Sequence, residues 1–80
     1  MKIQLLFFGI TTDLVGEKSL SLGLEDNTSV SELKKILTTQ FSALKNIHDF
    51  AIAVNEDYAE DALIIKNGDV VAIIPPVSGG

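Results

Sequence analysis

One capped, amphipathic helix is all the long helix that this sequence supports, and every other apolar segment has to be arranged around it. Ser29-Val30-Ser31-Glu32 has the form of a capping box. In such a box the Ser29 hydroxyl and the Glu32 carboxylate satisfy backbone N–H groups that a helix start leaves unpaired. Val30, Leu33, Leu37 and Phe41 then recur at helical spacing, joined by Ile36. One stripe is therefore expected to pack on a sheet while Lys34, Lys35 and Thr38 face water. A chain of 80 residues has room for a single core, and for neither a second lobe nor a large enclosed pocket.

The rest of the chain reads mostly as strands. In Ile3-Gln4-Leu5-Leu6-Phe7-Phe8 the odd positions Ile3, Leu5 and Phe7 share one face, and Leu6 and Phe8 share the other. A loop is expected from Gly9 to Gly16. It leads into Ser19-Leu20-Ser21-Leu22-Gly23-Leu24, whose alternation marks a half-buried second strand forming a hairpin with the first. After the helix comes an irregular stretch through Asn46 and Asp49. Phe50-Ala51-Ile52-Ala53-Val54 then reads as a buried strand, followed by a polar turn at Asn55-Glu56-Asp57. Leu63-Ile64-Ile65 is expected as a short strand or bridge, Asn67-Gly68 as a turn and Val70 to Ile74 as the last strand.

This order predicts the α+β class, with a mixed sheet of about four to five strands and one main helix on one face. It is the β-grasp, or ubiquitin-like, pattern. The first and last strands, the two most hydrophobic segments, are expected side by side at the centre. If Ile3, Leu5, Phe7, Val71 and Ile73 face the helix, Leu6, Phe8, Val70, Ala72 and Ile74 fall on the face that no helix covers. An exposed apolar patch on a small domain marks a protein interface.

Composition narrows the function classes. Hydrophobic residues make up 46% and charged residues 21%, so the chain lies outside the disordered range and should fold. With no cysteine, disulfides, Fe–S clusters, thiolate nucleophiles and cysteine-ligated zinc are excluded. Net charge is −5, all six basic residues are lysines, and Lys34-Lys35 is their largest cluster, so no nucleic-acid partner is expected. The pairs Glu56-Asp57 and Glu60-Asp61 serve solubility or steer a basic partner. Met1-Lys2 opens no segment with a cleavage site or a long hydrophobic run, which predicts a cytoplasmic location away from membranes. No metal site is expected: His48 stands alone, and Asp57, Glu60 and Asp61 lack the glycine and bidentate glutamate of a calcium loop. Tyr58 is expected to lay its ring on the sheet edge with its hydroxyl exposed.

The division expected is a domain over 1–74 and an extended tail over 75–80. That tail, Pro75-Pro76-Val77-Ser78-Gly79-Gly80, holds no charged side chain. The prolines fix φ near extended values, and Pro76 also restricts Pro75, so the tail should leave the last strand stiffly. Gly79 and Gly80 lack Cβ atoms, which lets the final carbonyl lie in a narrow channel and be approached closely. Six extended residues reach about 20 Å, far enough to enter a partner's active site. The terminal carboxylate is thereby the candidate reactive group.

Leu6-Phe7-Phe8-Gly9, Ala53-Val54-Asn55, Asn67-Gly68-Asp69-Val70-Val71-Ala72 and, above all, the Pro-Pro-Val-Ser-Gly-Gly ending carry a family resemblance. The chain resembles, over its whole length, the small, sulfur-carrying subunits of molybdopterin synthase (MoaD-like proteins). Gly-Gly alone recurs in thiamine sulfur carriers and ubiquitin-like modifiers; the double proline before Val-x-Gly-Gly points to the molybdopterin branch. The resemblance implies that an E1-like, MoeB-type adenylyltransferase uses ATP to adenylate Gly80. A sulfur donor then converts the transient acyl-adenylate, with its AMP leaving group, to a thiocarboxylate. The tail, inserted in the large catalytic subunit of a heterotetramer, passes sulfur to the pyranopterin precursor. No cofactor is held permanently, and Gly80 is the one chemically active residue of a subunit that is not catalytic alone. By the same resemblance Phe8 and Ile74, with Leu6 and Ala72 beside them, face the synthase partner and the activating enzyme. Thr12 stands where some relatives have a basic residue, and Asn67 and Val70 where acidic residues are common. Three other uses remain open: sulfur delivery to another pathway, such as thiamine thiazole or a tungsten-pterin; ubiquitin-like attachment of Gly80 to protein lysines; and a β-grasp binding module in which the apolar sheet face acts without tail chemistry.

Overall fold

The structure, a computed structural model, describes residues 1–46 and 50–76. Its elements are β1 (Lys2–Phe7), α1 (Ile10–Val15), β2 (Ser19–Gly23), α2 (Val30–Gln40), a 3₁₀ helix (Ser42–Asn46), β3 (Ala51–Val54), β4 (Asp57–Tyr58) and β5 (Val70–Ile74). The strands form one sheet in the order β2-β1-β5-β3-β4. β1 and β5 run parallel at its centre, with Leu5 opposite Val71 and Phe7 opposite Ile73. The other pairings are antiparallel. This is the β-grasp arrangement of a mixed sheet with one main helix.

Alternation along the central strands decides the core. Ile3, Leu5, Phe7, Val71 and Ile73 are buried together with Val30, Leu33 and Leu37 of α2. The capping box forms as the sequence predicts: the Glu32 N–H donates to Ser29 Oγ, and Glu32 Oε1 accepts from the Ser29 N–H at 3.3 Å. Phe41, expected on the helical stripe, instead ends α2 and meets Phe7 edge to face, with ring centroids 5.9 Å apart.

Three local expectations are corrected. The segment from Gly9 to Gly16 is not only a loop, for it contains the six-residue helix α1, closed by Gly16 in the left-handed region at φ 85°. The irregular stretch after α2 begins as the 3₁₀ helix, which buries Leu44. Asp57, expected in the polar turn, instead begins the two-residue strand Asp57–Tyr58, reached by a tight turn in which Asn55 and Glu56 both have positive φ. Leu63 to Ile65, expected as a short strand or bridge, makes the bridge from Ile64 to Ser29. The backbone there is committed to α2: the Leu63 carbonyl accepts from Val30 N–H and the Asp61 carbonyl from Ser31 N–H. Two of the orphan donors of a helix start are satisfied in this way. Lys34, expected to face water, is partly exposed there and pairs with Asp61 at 2.9 Å across the same junction.

Replacing Ser29 by alanine removes the cap acceptor while leaving these carbonyls in place. Ser29→Ala is expected to lower the unfolding free energy by about 1 kcal/mol. Urea denaturation with an unchanged m-value checks this, and an unaltered midpoint would mean that the 61–63 carbonyls suffice alone.

Candidate functional site: the open sheet face and the root of the tail

The register of the central strands sets the second face as firmly as the first. Leu6 lies opposite Ala72, Ala72 opposite Ala53, and Ala53 opposite Tyr58, in one row across four strands. Ile74 lies opposite Ala51, and the Phe8 N–H reaches the Ile73 carbonyl at 3.3 Å, so Phe8 and Ile74 flank the point where the chain leaves β5. Phe8 is 49% exposed and Val70 39%, while Leu6, Ala72 and Ile74 are half-buried. Among the described residues no helix lies over this face, whose middle is floored by small alanines between larger apolar side chains. Ser19 and Ser21, opposite Leu6 and Gln4, give it a polar border.

Tyr58 departs from expectation. Its residue is 75% exposed, so the ring is not laid down on the sheet edge. Opposite Ala53, it extends the apolar row on the same side as Leu6 and Ala72. The signal that could have found it was the turn at Asn55-Glu56, which reverses the chain and brings Tyr58 back beside β3.

The far end of β5 is anchored by side-chain amides and carboxylates. The Val70 N–H donates to Asn55 Oδ1, Asn55 Nδ2 to Asp69 Oδ1, and the Lys66 N–H to Asp69 Oδ2. Asn67 Oδ1 accepts from the Lys2 N–H at 2.8 Å. The motifs Ala53-Val54-Asn55 and Asn67-Gly68-Asp69-Val70 thus meet in space and hold the start of β5 against β1 and β3. An open groove of about 740 Å³ lies beside this end, with Tyr58, Leu63, Ile64 and Lys66 among its lining. The tail leaves from the opposite end of the strand.

At that opposite end β5 stops at Ile74, Pro75 is half-buried and Pro76 is exposed. Val77, Ser78, Gly79 and Gly80 lie outside the described residues, as does His48. Among the described residues no group of three acidic or histidine side chains is placed to hold a metal ion. Nor is any helix among them long and apolar enough to cross a membrane.

Sequence reasoning missed the elements nearest the root. Gly9 adopts φ 55° and ψ −136°, and an L side chain there would put its Cβ 3.1 Å from Pro75 Cγ. Thr11, fully buried, accepts from the Phe8 N–H at 3.0 Å and donates to the Phe8 carbonyl. The Gly9 that closes Leu6-Phe7-Phe8-Gly9 was visible in the sequence; its contact with a residue near the other end of the chain was not.

A β-grasp domain with an open apolar sheet face beside a proline-stiffened strand exit defines the ubiquitin-like class. The likeness extends to sequence. The chain is 31% identical to an Arabidopsis thaliana protein named molybdopterin synthase sulfur carrier subunit, over all of this chain and 84% of that one. Its fold matches a Pyrococcus furiosus protein described as molybdopterin converting factor subunit 1, at TM-score 0.88 and 26% identity, covering 96% and 99% of the two chains. It also matches, at TM-score 0.71 and 29% identity over the whole of both chains, a chain in the complex of subunits 1 and 2 of the Helicobacter pylori molybdopterin-converting factor. Residues 5–80 match the ThiS family, and the chain belongs to that family.

Exposure predicts opposite costs for the two adjacent phenylalanines. Phe8→Asp is expected to change the unfolding free energy by under about 1 kcal/mol, whereas Phe7→Ala, in the core, costs about 3–5 kcal/mol. Chemical denaturation of both variants checks the difference, and comparable losses would show that Phe8 is covered.

Proposed function

We propose that this chain is the sulfur-carrier subunit of a molybdopterin synthase and that its working group is the Gly80 carboxylate. What carries the reading is one juxtaposition: an open apolar face, ending in Phe8 and Ile74, at the root of a Pro-Pro-Val-Ser-Gly-Gly segment. The relatives named as sulfur-carrier subunits support it, because their likeness runs over the whole chain.

The chemistry follows from the weakness of a carboxylate as an electrophile. A Gly80 oxygen attacks the α-phosphorus of ATP and pyrophosphate leaves, giving an acyl-adenylate. Sulfide-level sulfur then attacks the acyl carbon, the C–O bond to AMP breaks, and a thiocarboxylate remains. The thiocarboxylate sulfur bonds to a pyranopterin precursor, and water then attacks the acyl carbon so that the acyl C–S bond breaks, leaving sulfur on the pterin and the Gly80 carboxylate restored, with two such deliveries completing a dithiolene. ATP activation belongs to an E1-like, MoeB-type enzyme, and pterin chemistry to a large subunit with which this chain would form a heterotetramer. This chain supplies a docking face of Leu6, Phe8, Ala72 and Ile74, and a tail of Pro75, Pro76, Val77, Ser78 and Gly79 that presents Gly80. With neither side chain, Gly79 and Gly80 would let a narrow channel admit the reacting carbonyl. The cycle needs ATP and reduced sulfur, which suits a cytoplasmic site.

Intact-mass measurement after incubation with the cognate activating enzyme, Mg-ATP and sulfide tests the chemistry where it occurs. The expected result is a gain equal to one oxygen exchanged for one sulfur, absent from a chain lacking Gly80. An unmodified chain beside an active enzyme, or isopeptide adducts on lysines, would overturn the reading in favour of passive binding or protein modification. Docking has its own test. Phe8→Asp and Ile74→Asp each place a charge in an apolar contact and should weaken large-subunit binding by about 2 kcal/mol or more. Titration calorimetry showing wild-type affinity for both would remove this face from the interface.

A further inference from the structure

We propose that Gly9 and Thr11 are positioning residues: Thr11 staples the Phe8–Gly9 loop to the end of β5, and Gly9 forms the rest against which Pro75 sets the direction of the tail. The inference rests on the carrier reading and adds to it the device that links where the domain docks to where its last residue arrives.

Gly9 is held in a backbone region that L side chains rarely adopt, φ 55° with ψ −136°. A Cβ there would also lie 3.1 Å from Pro75 Cγ and 3.8 Å from Pro75 Cδ. The loop and the tail root therefore approach so closely that a Cβ at Gly9 would have to shift the Pro75 ring by a few tenths of an ångström. Thr11 supplies the fixing. Buried completely, its Oγ1 accepts from the Phe8 N–H at 3.0 Å, donates to the Phe8 carbonyl, and lies 3.4 Å from the Ile73 carbonyl. The Thr12 hydroxyl adds a bond to the Phe7 carbonyl at 2.9 Å. Phe8, Gly9 and the Ile73–Pro75 exit thus form one unit, with the docking side chain and the tail rest on adjacent residues.

A lever argument gives this unit its consequence. Pro75 has its φ fixed by its ring and its ψ restricted by Pro76, so orientation at the root is passed to Pro76, and onward where a partner's channel holds the rest extended. Five further residues, if extended, reach about 16 Å, and a tilt of about 15° at Pro75 moves the far end by about 4 Å. Misplacing a reacting group by about 1 Å can cost about 100-fold in rate. A small loosening at Gly9 would thereby act on Gly80 without touching the docking face.

Adenylation by the activating enzyme, followed as ATP–pyrophosphate exchange, separates docking from presentation, with carrier KM reporting the first and kcat the second. Gly9→Ala and Pro75→Gly are each expected to lower kcat by about 10-fold or more with KM within about 3-fold of wild type. Because Gly9→Ala acts through its overlap with the Pro75 ring, which Pro75→Gly takes away, the double variant should be little worse than the poorer single one. Thr11→Val should behave like Gly9→Ala, and Thr11→Ser, which keeps the hydroxyl, should recover most of the loss. Wild-type kcat in the folded variants, a loss confined to KM, or additive losses in the double variant would overturn the positioning role. Pro75 lies beyond the last strand, so Pro75→Gly keeps the test decisive if Gly9→Ala or Thr11→Val does not fold. A wild-type chain that supports no exchange would overturn the carrier reading and this inference together; wild-type exchange with unaltered variants would overturn this inference alone.

Discussion

The parallel pairing of β1 with β5 is the interaction from which the other features follow. It joins segments from opposite ends of the chain, so its loop-closure cost is the largest in the fold and must be offset by burial on the helix side. Leu5 opposite Val71 and Phe7 opposite Ile73 meet that cost, being buried with Leu33 and Leu37 of α2. Since side chains alternate across a strand, the same register sends Leu6, Ala72 and Ile74 to the other face. A slip of one residue would put the core set into water. The open apolar face is in this sense the reverse side of the stability of the domain, and it needs no separate determinant.

What was legible in the sequence is what depends on period and capping. The capping box at Ser29, the stripe from Val30 to Leu37 and the parity of the two central strands are local patterns, and each recurs in the structure. What was not legible depends on distant partners. Ile10-Thr11-Thr12-Asp13-Leu14-Val15 is rich in β-branched residues, which are poor helix formers, and six residues are too few to nucleate a helix alone. α1 exists because the Thr11 and Thr12 hydroxyls bond back to Phe8 and Phe7, which local reasoning takes for loop chemistry. Leu63-Ile64-Ile65 was legible as a short strand or bridge, and its neighbourhood, which lends backbone carbonyls to the start of α2, decides for the bridge.

The site divided along the same line. Phe8 and Ile74 could be assigned to one face by parity alone. Tyr58 could not, because its place in the apolar row depends on a two-residue turn with positive φ at Asn55 and Glu56. The acidic and amide residues that resembled a family motif proved to be mutual partners. Asn55, Asp69 and Asn67 satisfy backbone N–H groups where β5 begins, so their identity reflects hydrogen-bond geometry at one end of the strand.

The two ends of β5 therefore perform different tasks with different chemistry. At Val70 the strand is pinned by polar side chains that fix its register against β1 and β3. At Ile74 polar side chains are replaced by packing: Gly9 against Pro75, Phe8 beside the exit, and one buried hydroxyl holding the loop in place. A polar anchor at the exit would have to be satisfied again whenever a partner covered it and displaced water. A steric rest carries no such requirement. It keeps its geometry whether the face is wet or covered.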